Sequence, residues 1–243
     1  MVLAAGLGTR LRPLTDDRPK ALVELAGRTL LDITLARLAA VGVRRVVVNA
    51  HHFAEQMAEY VAGHDGYGME LTVSYEAELL DTGGGLKHAA QFFAGDDEPF
   101  LLHNVDIVSA IDLAAMAAAH RESGALATLA VQERVSSRQL LFDGEGRLAG
   151  RTAGAGKAPE VVREAGELKA LAFAGIHVIS PRIFGRMPEE GAFSIIPAYL
   201  RLAAEGERVA AYRADGAYWR DLGKVESLRA AEADVASGRL ILT

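Results

Sequence analysis

The chain has 243 residues, half of them hydrophobic, with 26 basic and 32 acidic side chains and a formal net charge of -6. That length suffices for one large core of the α/β kind. The absence of Cys excludes disulfides, Cys-ligated zinc, iron–sulfur clusters and a Cys nucleophile. The acidic balance speaks against a nucleic-acid surface but allows a local basic loop that holds a small anion.

Val2 to Ala5 predicts a short buried strand ending on Gly6. Leu31, Leu35 and Leu38 at helical spacing predict a helix over 29–40, stopped before Gly42. A second buried strand is expected over 44–49, a helix over 53–62 and a third strand over 71–75. Gly83, Gly84 and Gly85 predict a loop ahead of a helix over 86–93. Residues 100–104 read as a strand closing on Val105-Asp106, and 113–122 as a helix. Strands alternating with helices through about residue 122 imply crossovers and a Rossmann-like, mostly parallel sheet flanked by helices. Beyond that the pattern changes. Residues 125–135 and 138–148 are strand-like, with Asp143-Gly144-Glu145-Gly146 as a turn, and 171–179 is a further strand. The second half therefore predicts an antiparallel portion beside the parallel sheet, with helices over 194–205 and 224–237. Ala153 to Lys157, small and polar, is expected as a mobile surface loop. No repeat or linker divides the chain, so one domain over 1–243 is expected. Short apolar runs broken by charge predict no membrane span, and a start without a basic flank predicts no secretory leader. A cytoplasmic protein is the expectation.

Gly6-Leu7-Gly8-Thr9-Arg10 follows the first strand. Two glycines let a backbone approach a ligand closely, and successive N–H groups in such a turn form an anion-binding nest. Arg10 and Arg12 add fork-shaped donors for phosphate oxygens, and Lys20 follows the stiffening Pro19. Position 11 is Leu rather than the third glycine of a dinucleotide fingerprint, and no Gly-Lys-Ser/Thr ending of a P-loop is present. The whole stretch Leu3-Ala4-Ala5-Gly6-Leu7-Gly8-Thr9-Arg10-Leu11-Arg12-Pro13-Leu14-Thr15, then Arg18-Pro19-Lys20-Ala21-Leu22, resembles the signature of the sugar-1-phosphate nucleotidyltransferases. The resemblance implies that Leu3, Ala4, Ala5, Gly6, Gly8, Thr9 and Arg10 bind a nucleoside triphosphate, and that Arg10 and Lys20 are catalytic. It also implies a mainly nucleotide-binding part over 1–122, a mainly sugar-binding part over 123–223 and a C-terminal helix over 224–243.

Nucleotidyl transfer calls for Mg²⁺, which takes only one or two protein carboxylates and keeps several waters. Asp106 lies just past a strand, where open α/β sheets bind ligands, and Asp221 lies in Tyr218-Trp219-Arg220-Asp221-Leu222-Gly223. Taken singly, Asp106 could equally serve as a turn or helix cap, and Asp221 as the cap of the helix from Lys224. Taken with the loop, they match the family's two metal-binding aspartates in order. Val105 stands where many relatives have a small residue, and His103 reads as a packed histidine rather than a ligand.

Asn49-Ala50-His51-His52, Glu76 and Leu80-Asp81-Thr82-Gly83-Gly84-Gly85 resemble segments of the uridylyltransferases that act on N-acetylmuramate 1-phosphate in wall recycling. That likeness implies that Gly83 and Gly84 face uracil. It places Asn49 and Glu76, with Lys20, in or near the sugar-phosphate pocket. Gly175 in Ala174-Gly175-Ile176-His177 resembles the family's sugar-facing strand; a bulge glycine in an ordinary strand is the plainer reading. Ser194 reads as a helix cap. An acidic lactyl group would want a cation, and Arg163, Lys169 and His177 are candidates.

The implied reaction joins an NTP, UTP favoured, and a sugar 1-phosphate into an NDP-sugar and pyrophosphate. The attacking phosphate oxygen is already anionic, so no general base is needed. Alternatives are a guanylyltransferase for mannose or heptose 1-phosphate, a phosphocholine cytidylyltransferase, and a nucleotide-binding regulatory subunit. The cytidylyltransferase needs a cage for a quaternary amine, and only 6% of residues are aromatic. The regulatory subunit predicts loss of the Arg, Lys or Asp residues, and all are present. With so little chain after Asp221, no second activity is expected.

Overall fold

The computed structural model describes residues 1–154 and 157–242. The apolar run before Gly6 forms β1 (Val2–Leu3), and a hairpin of β2 (Glu24–Leu25) with β3 (Arg28–Thr29) follows the glycine loop. α1 (Leu30–Ala40) starts where the Thr29 hydroxyl accepts the Asp32 amide at 3.0 Å, and it buries Leu30, Leu31, Ile33, Leu35 and Leu38. β4 (Arg45–Ala50), α2 (Ala54–Gly63), β5 (Glu70–Tyr75), α3 (Asp81–His88) and β6 (Phe100–Asn104) continue the expected alternation. Next come β7 (Ile107–Ser109) and α4 (Leu113–Ser123), which is capped by Asp112 and stopped at Gly124. β8 (Ala127–Gln132), β9 (Leu140–Phe142), β10 (Leu148–Arg151), β11 (Glu160–Val161) and β12 (Lys169–Ile179) form the strand-rich stretch. α5 (Ile195–Ala204), β13 (Val209–Arg213), β14 (Trp219–Asp221) and α6 (Val225–Ala236) complete the chain.

These elements group into two compact units. The first holds Met1–Asp81, His103–Ile111 and the chain from Ala217 on; the second holds Thr82–Leu102 and Asp112–Gly216. The first unit is discontinuous because β14 pairs antiparallel with β7, Asp221 opposite Ile107, and because Val2 and Leu3 pair parallel with His103 and Asn104. A division in sequence order at 122 and 223 does not anticipate that return.

The first unit carries the parallel sheet: the end of β6 pairs with β1, β1 with β4, and β4 with β5, all parallel. Val46, Val47 and Val48 are buried in succession, as expected of a strand covered on both faces. Each fully buried aliphatic side chain of this kind contributes about 1.5–3 kcal/mol. In the second unit β12 pairs antiparallel with β8 and β9, and β10 pairs antiparallel with β9 and β11, which is the expected antiparallel portion. β13 joins β8 in parallel, which no local pattern announced. The glycine triplet departs from expectation: Gly83, Gly84 and Gly85 lie inside α3, not in a loop before it. Of the loop expected over 153–157, Ala155 and Gly156 lie outside the described residues. No helix among the described residues is long and apolar enough to cross a membrane.

Candidate active site

β1 places Ala4 and Ala5 in the core and releases the chain to solvent at Gly6. Gly6, Leu7, Thr9 and Arg10 are exposed, and the buried Leu11 pins the far end of the loop. The turn is closed by the Leu11 amide on the Gly8 carbonyl at 2.8 Å and by the Thr15 hydroxyl on the same oxygen at 2.9 Å. Gly8 sits at φ +64, and a Cβ there would stand 2.9 Å from Thr15 Cγ2, so the position demands glycine twice over. Among the described residues, the Gly6, Leu7 and Gly8 amides donate to no protein acceptor. Three successive amides without a protein acceptor, beside Arg10, are the donors an anion nest would use.

Lys20 opens a short 3₁₀ turn directly after Pro19. Its ammonium group meets Asp106 Oδ2 at 2.8 Å, with both side chains largely buried. Asp106 follows β6, and Val105 before it is fully buried while its amide donates to Leu3 O at 3.1 Å. The larger residue is thus absorbed into the core and carries the pairing with β1 one step further. The Asp106 carbonyl accepts the Leu222 amide at 2.8 Å, which brings β14 and Asp221 alongside. Asp221 does not cap α6, whose N-cap is Lys224; its Oδ1 accepts the Gly223 amide at 2.7 Å.

Gly223 shows how closely these groups converge. A Cβ built there would lie 2.7 Å from Arg10 Nη2, 2.8 Å from Asp221 Oδ1 and 3.3 Å from Asp106 Oδ2. Arg10, Asp106 and Asp221, from three separate stretches of chain, thus share a space that exists because residue 223 has no side chain, with Lys20 held on Asp106. Among the described residues no group of three or more His, Asp or Glu gathers as a metal site. A cation held here would have two protein carboxylates and complete its shell with water and phosphate, a coordination that suits Mg²⁺. β14 is braced from behind: Asp234 Oδ2 on α6 accepts Tyr218 Oη at 2.7 Å and Arg220 Nη2 at 2.5 Å. Neither Gly223 nor this brace was singled out from sequence; the glycine directly after Asp221-Leu222 was the available signal. His103 is a packed residue as expected: burial, with the nearby Arg37 charge adding to it, pushes its pKa down to about 3.

Other expected site residues sit differently. Asn49 and Glu76, placed by resemblance in or near the sugar-phosphate pocket, are buried and spend their side chains on the protein itself. Asn49 Oδ1 accepts the Ala4 amide at 2.6 Å, and Asn49 Nδ2 donates to Glu76 Oε1 at 2.6 Å. In the second unit, Gly83 and Gly84 are buried and both donate their amides to the Phe193 carbonyl, at 2.9 and 3.1 Å. Those donors are not offered to a base. Thr82 Oγ1, rather than the Ser194 side chain, accepts the Ile195 amide at the start of α5, at 3.0 Å. Gly175 has φ +75 at the irregular step where β12 slips against β8, so the bulge reading holds. The three candidate cations already have partners: Arg163 holds Asp143, Lys169 reaches Glu133 at 2.7 Å, and the buried His177 meets Tyr199 Oη at 2.9 Å.

The family described as "Nucleotidyl transferase" matches residues 1–139. The chain is 37% identical to the N-acetylmuramate alpha-1-phosphate uridylyltransferase of Caulobacter vibrioides, covering 97% of this chain and 96% of that protein. The protein of the same description from Neisseria meningitidis is 30% identical, with 96% of each covered. The solved UDP-glucose pyrophosphorylase of Acinetobacter baumannii superposes with a TM-score of 0.81 over 99% of this chain and 94% of that one, at 16% identity, a likeness of fold. With a glycine loop beside Lys20, Asp106 and Asp221 and with these relatives, the chain belongs to the nucleotidyl transferase family, as a sugar-1-phosphate nucleotidyltransferase.

Proposed function

We propose that the chain transfers the uridylyl group of UTP to N-acetylmuramate 1-phosphate, releasing pyrophosphate. The observation that carries this reading is the convergence of Arg10, Asp106 and Asp221 on Gly223, with Lys20 on Asp106. The near full-length likeness to two enzymes of that description supports the choice of substrates. An oxygen of the sugar phosphate attacks the α-phosphorus in line. The bond from that phosphorus to the bridging oxygen of the β-phosphate breaks, and pyrophosphate leaves with its electrons. The nucleophile is already anionic, so orientation and charge compensation are the whole catalytic task.

The Gly6, Leu7 and Gly8 amides and Arg10 hold the outer phosphates. Lys20 lies between the attacking phosphate and the α-phosphate and exchanges its contact with Asp106 for them. Asp106 and Asp221 would hold Mg²⁺, which when bound offsets charge on the phosphate oxygens. A sugar-facing role for Gly175 rests on the family likeness alone. The same reading puts the protein in the cytoplasm, in peptidoglycan recycling. Pyrophosphate release from UTP, GTP, CTP and dTTP against N-acetylmuramate, glucose and mannose 1-phosphates tests it. The largest kcat/KM is expected for UTP with N-acetylmuramate 1-phosphate; a preference for GTP with mannose 1-phosphate would overturn the substrate assignment.

A further inference from the structure

Directly behind the phosphate loop lies a buried polar pair that the transfer chemistry does not use. Asn49 ends β4 and Glu76 follows β5, and both are at most 4% exposed. Asn49 Oδ1 accepts from Ala4 N at 2.6 Å and from Ala5 N at 3.3 Å, the two residues from which the loop springs. Its Nδ2 donates to Glu76 Oε1 at 2.6 Å, and Glu76 Oε2 accepts the Leu80 amide at 3.1 Å. The Glu76 backbone is held as well: its amide donates to Ala50 O at 2.8 Å, and its carbonyl accepts His51 Nδ1 at 2.9 Å. Each side-chain oxygen and nitrogen of the pair has a partner. An amide can sit at 49 and a carboxylate at 76 because the first must both accept and donate while the second only accepts.

We propose that Asn49 and Glu76 are positioning residues: together they set the geometry of Ala4 and Ala5 so that the Gly6, Leu7 and Gly8 amides point together at the triphosphate. This rests on the phosphate role of the loop stated above. β1 ends at Leu3, whose carbonyl still accepts the Val105 amide at 3.1 Å. Beyond that bond the Asn49 carboxamide oxygen holds the Ala4 and Ala5 amides, and Glu76 fixes which way that carboxamide faces. A buried array of this kind is sensitive to a single reversed donor.

The pair permits an exchange that keeps atom count and charge almost unchanged. N49D leaves Oδ1 in place for Ala4 and Ala5 but sets a second acceptor against Glu76. E76Q sets an N–H against either Asn49 Nδ2 or the Leu80 amide. In N49D/E76Q the Asp accepts from Ala4 and Ala5, the Gln Nε2 donates to the other Asp oxygen, and the Gln Oε1 accepts from Leu80. The array is complete again with the polarity of its central bond reversed. We expect each single variant to lose about tenfold or more in kcat/KM for the nucleotide and to bind pyrophosphate correspondingly more weakly by calorimetry. The double variant is expected to recover most of both, together with the thermal midpoint. A double variant no better than the worse single overturns the proposal. So do single variants that lower only the midpoint and keep wild-type KM, kcat and pyrophosphate affinity. Pyrophosphate binding needs no assumption about sugar or base. If wild type failed to turn over UTP, the substrate assignment would fall while the calorimetric arm still decided this one.

Discussion

Arg10, Asp106 and Asp221 are drawn together around a missing side chain, with Lys20 held on Asp106. Gly223 has no Cβ, and a methyl group there would press on Arg10 Nη2, Asp221 Oδ1 and Asp106 Oδ2 together. Gly223→Ala is expected to cut kcat by roughly 10²-fold, the scale of one lost electrostatic contact in a transfer site, while far-UV circular dichroism stays that of wild type. Unchanged kcat would show that this space is not used. Arg10 and Lys20 were legible in the sequence through the glycine loop and Pro19; Asp106 and Asp221, each equally readable alone as a turn or cap residue, were legible only through their match to the family's motif. Their meeting at Gly223 was not, since it depends on Arg10, Asp106 and Asp221 lying far apart in the chain. Asn49 and Glu76 show the reverse. Strand-end polar residues read as ligand groups, yet their partners are Ala4, Ala5 and Leu80. Sequence spacing does not distinguish a side chain facing a ligand from one bracing the loop that does.

The strands and helices of the first half follow their hydrophobic periods. The β4 run Val46-Val47-Val48 and the Leu-rich face of α1 are buried as the pattern requires. α3 does not follow local preference. Three successive glycines are poor helix formers, by about 1 kcal/mol each relative to Ala, and tertiary packing overrides them. The Gly83 and Gly84 amides donate to the Phe193 carbonyl, and a Cβ at Gly83 would meet the Phe193 ring and stand 2.9 Å from its carbonyl oxygen. The glycines therefore serve close approach of two segments within the second unit. Gly83→Ala would raise local helix propensity, yet it is expected to destabilise the protein by about 1–3 kcal/mol through overpacking. A thermal melt should show the midpoint falling by ~2–4 °C per kcal/mol. A midpoint at or above that of wild type would mean that Phe193 yields freely. β13 was missed for a related reason: its parallel pairing with β8 depends on a partner some eighty residues earlier, which no local alternation reveals.

The unit that holds Arg10, Lys20, Asp106 and Asp221 is built by the chain in three passes. Its first 81 residues supply the loop and Lys20, its return at His103–Ile111 supplies Asp106, and the stretch from Ala217 supplies Asp221. β7 and β14 pair and Leu222 donates to the Asp106 carbonyl, so the two aspartates are fixed by backbone rather than by flexible loops. Chemistry placed on such rigid strand ends should fail through the reacting groups and not through folding. Pyrophosphate release by Asp106→Asn, at saturating nucleotide and sugar 1-phosphate and beside wild type, tests this most directly. A fall in kcat of about 10²-fold or more is expected, with a raised requirement for Mg²⁺ and a thermal midpoint close to that of wild type. Near-wild-type turnover at the same Mg²⁺ concentration would contradict the assignment of Asp106, and with it the transfer site described around Gly223.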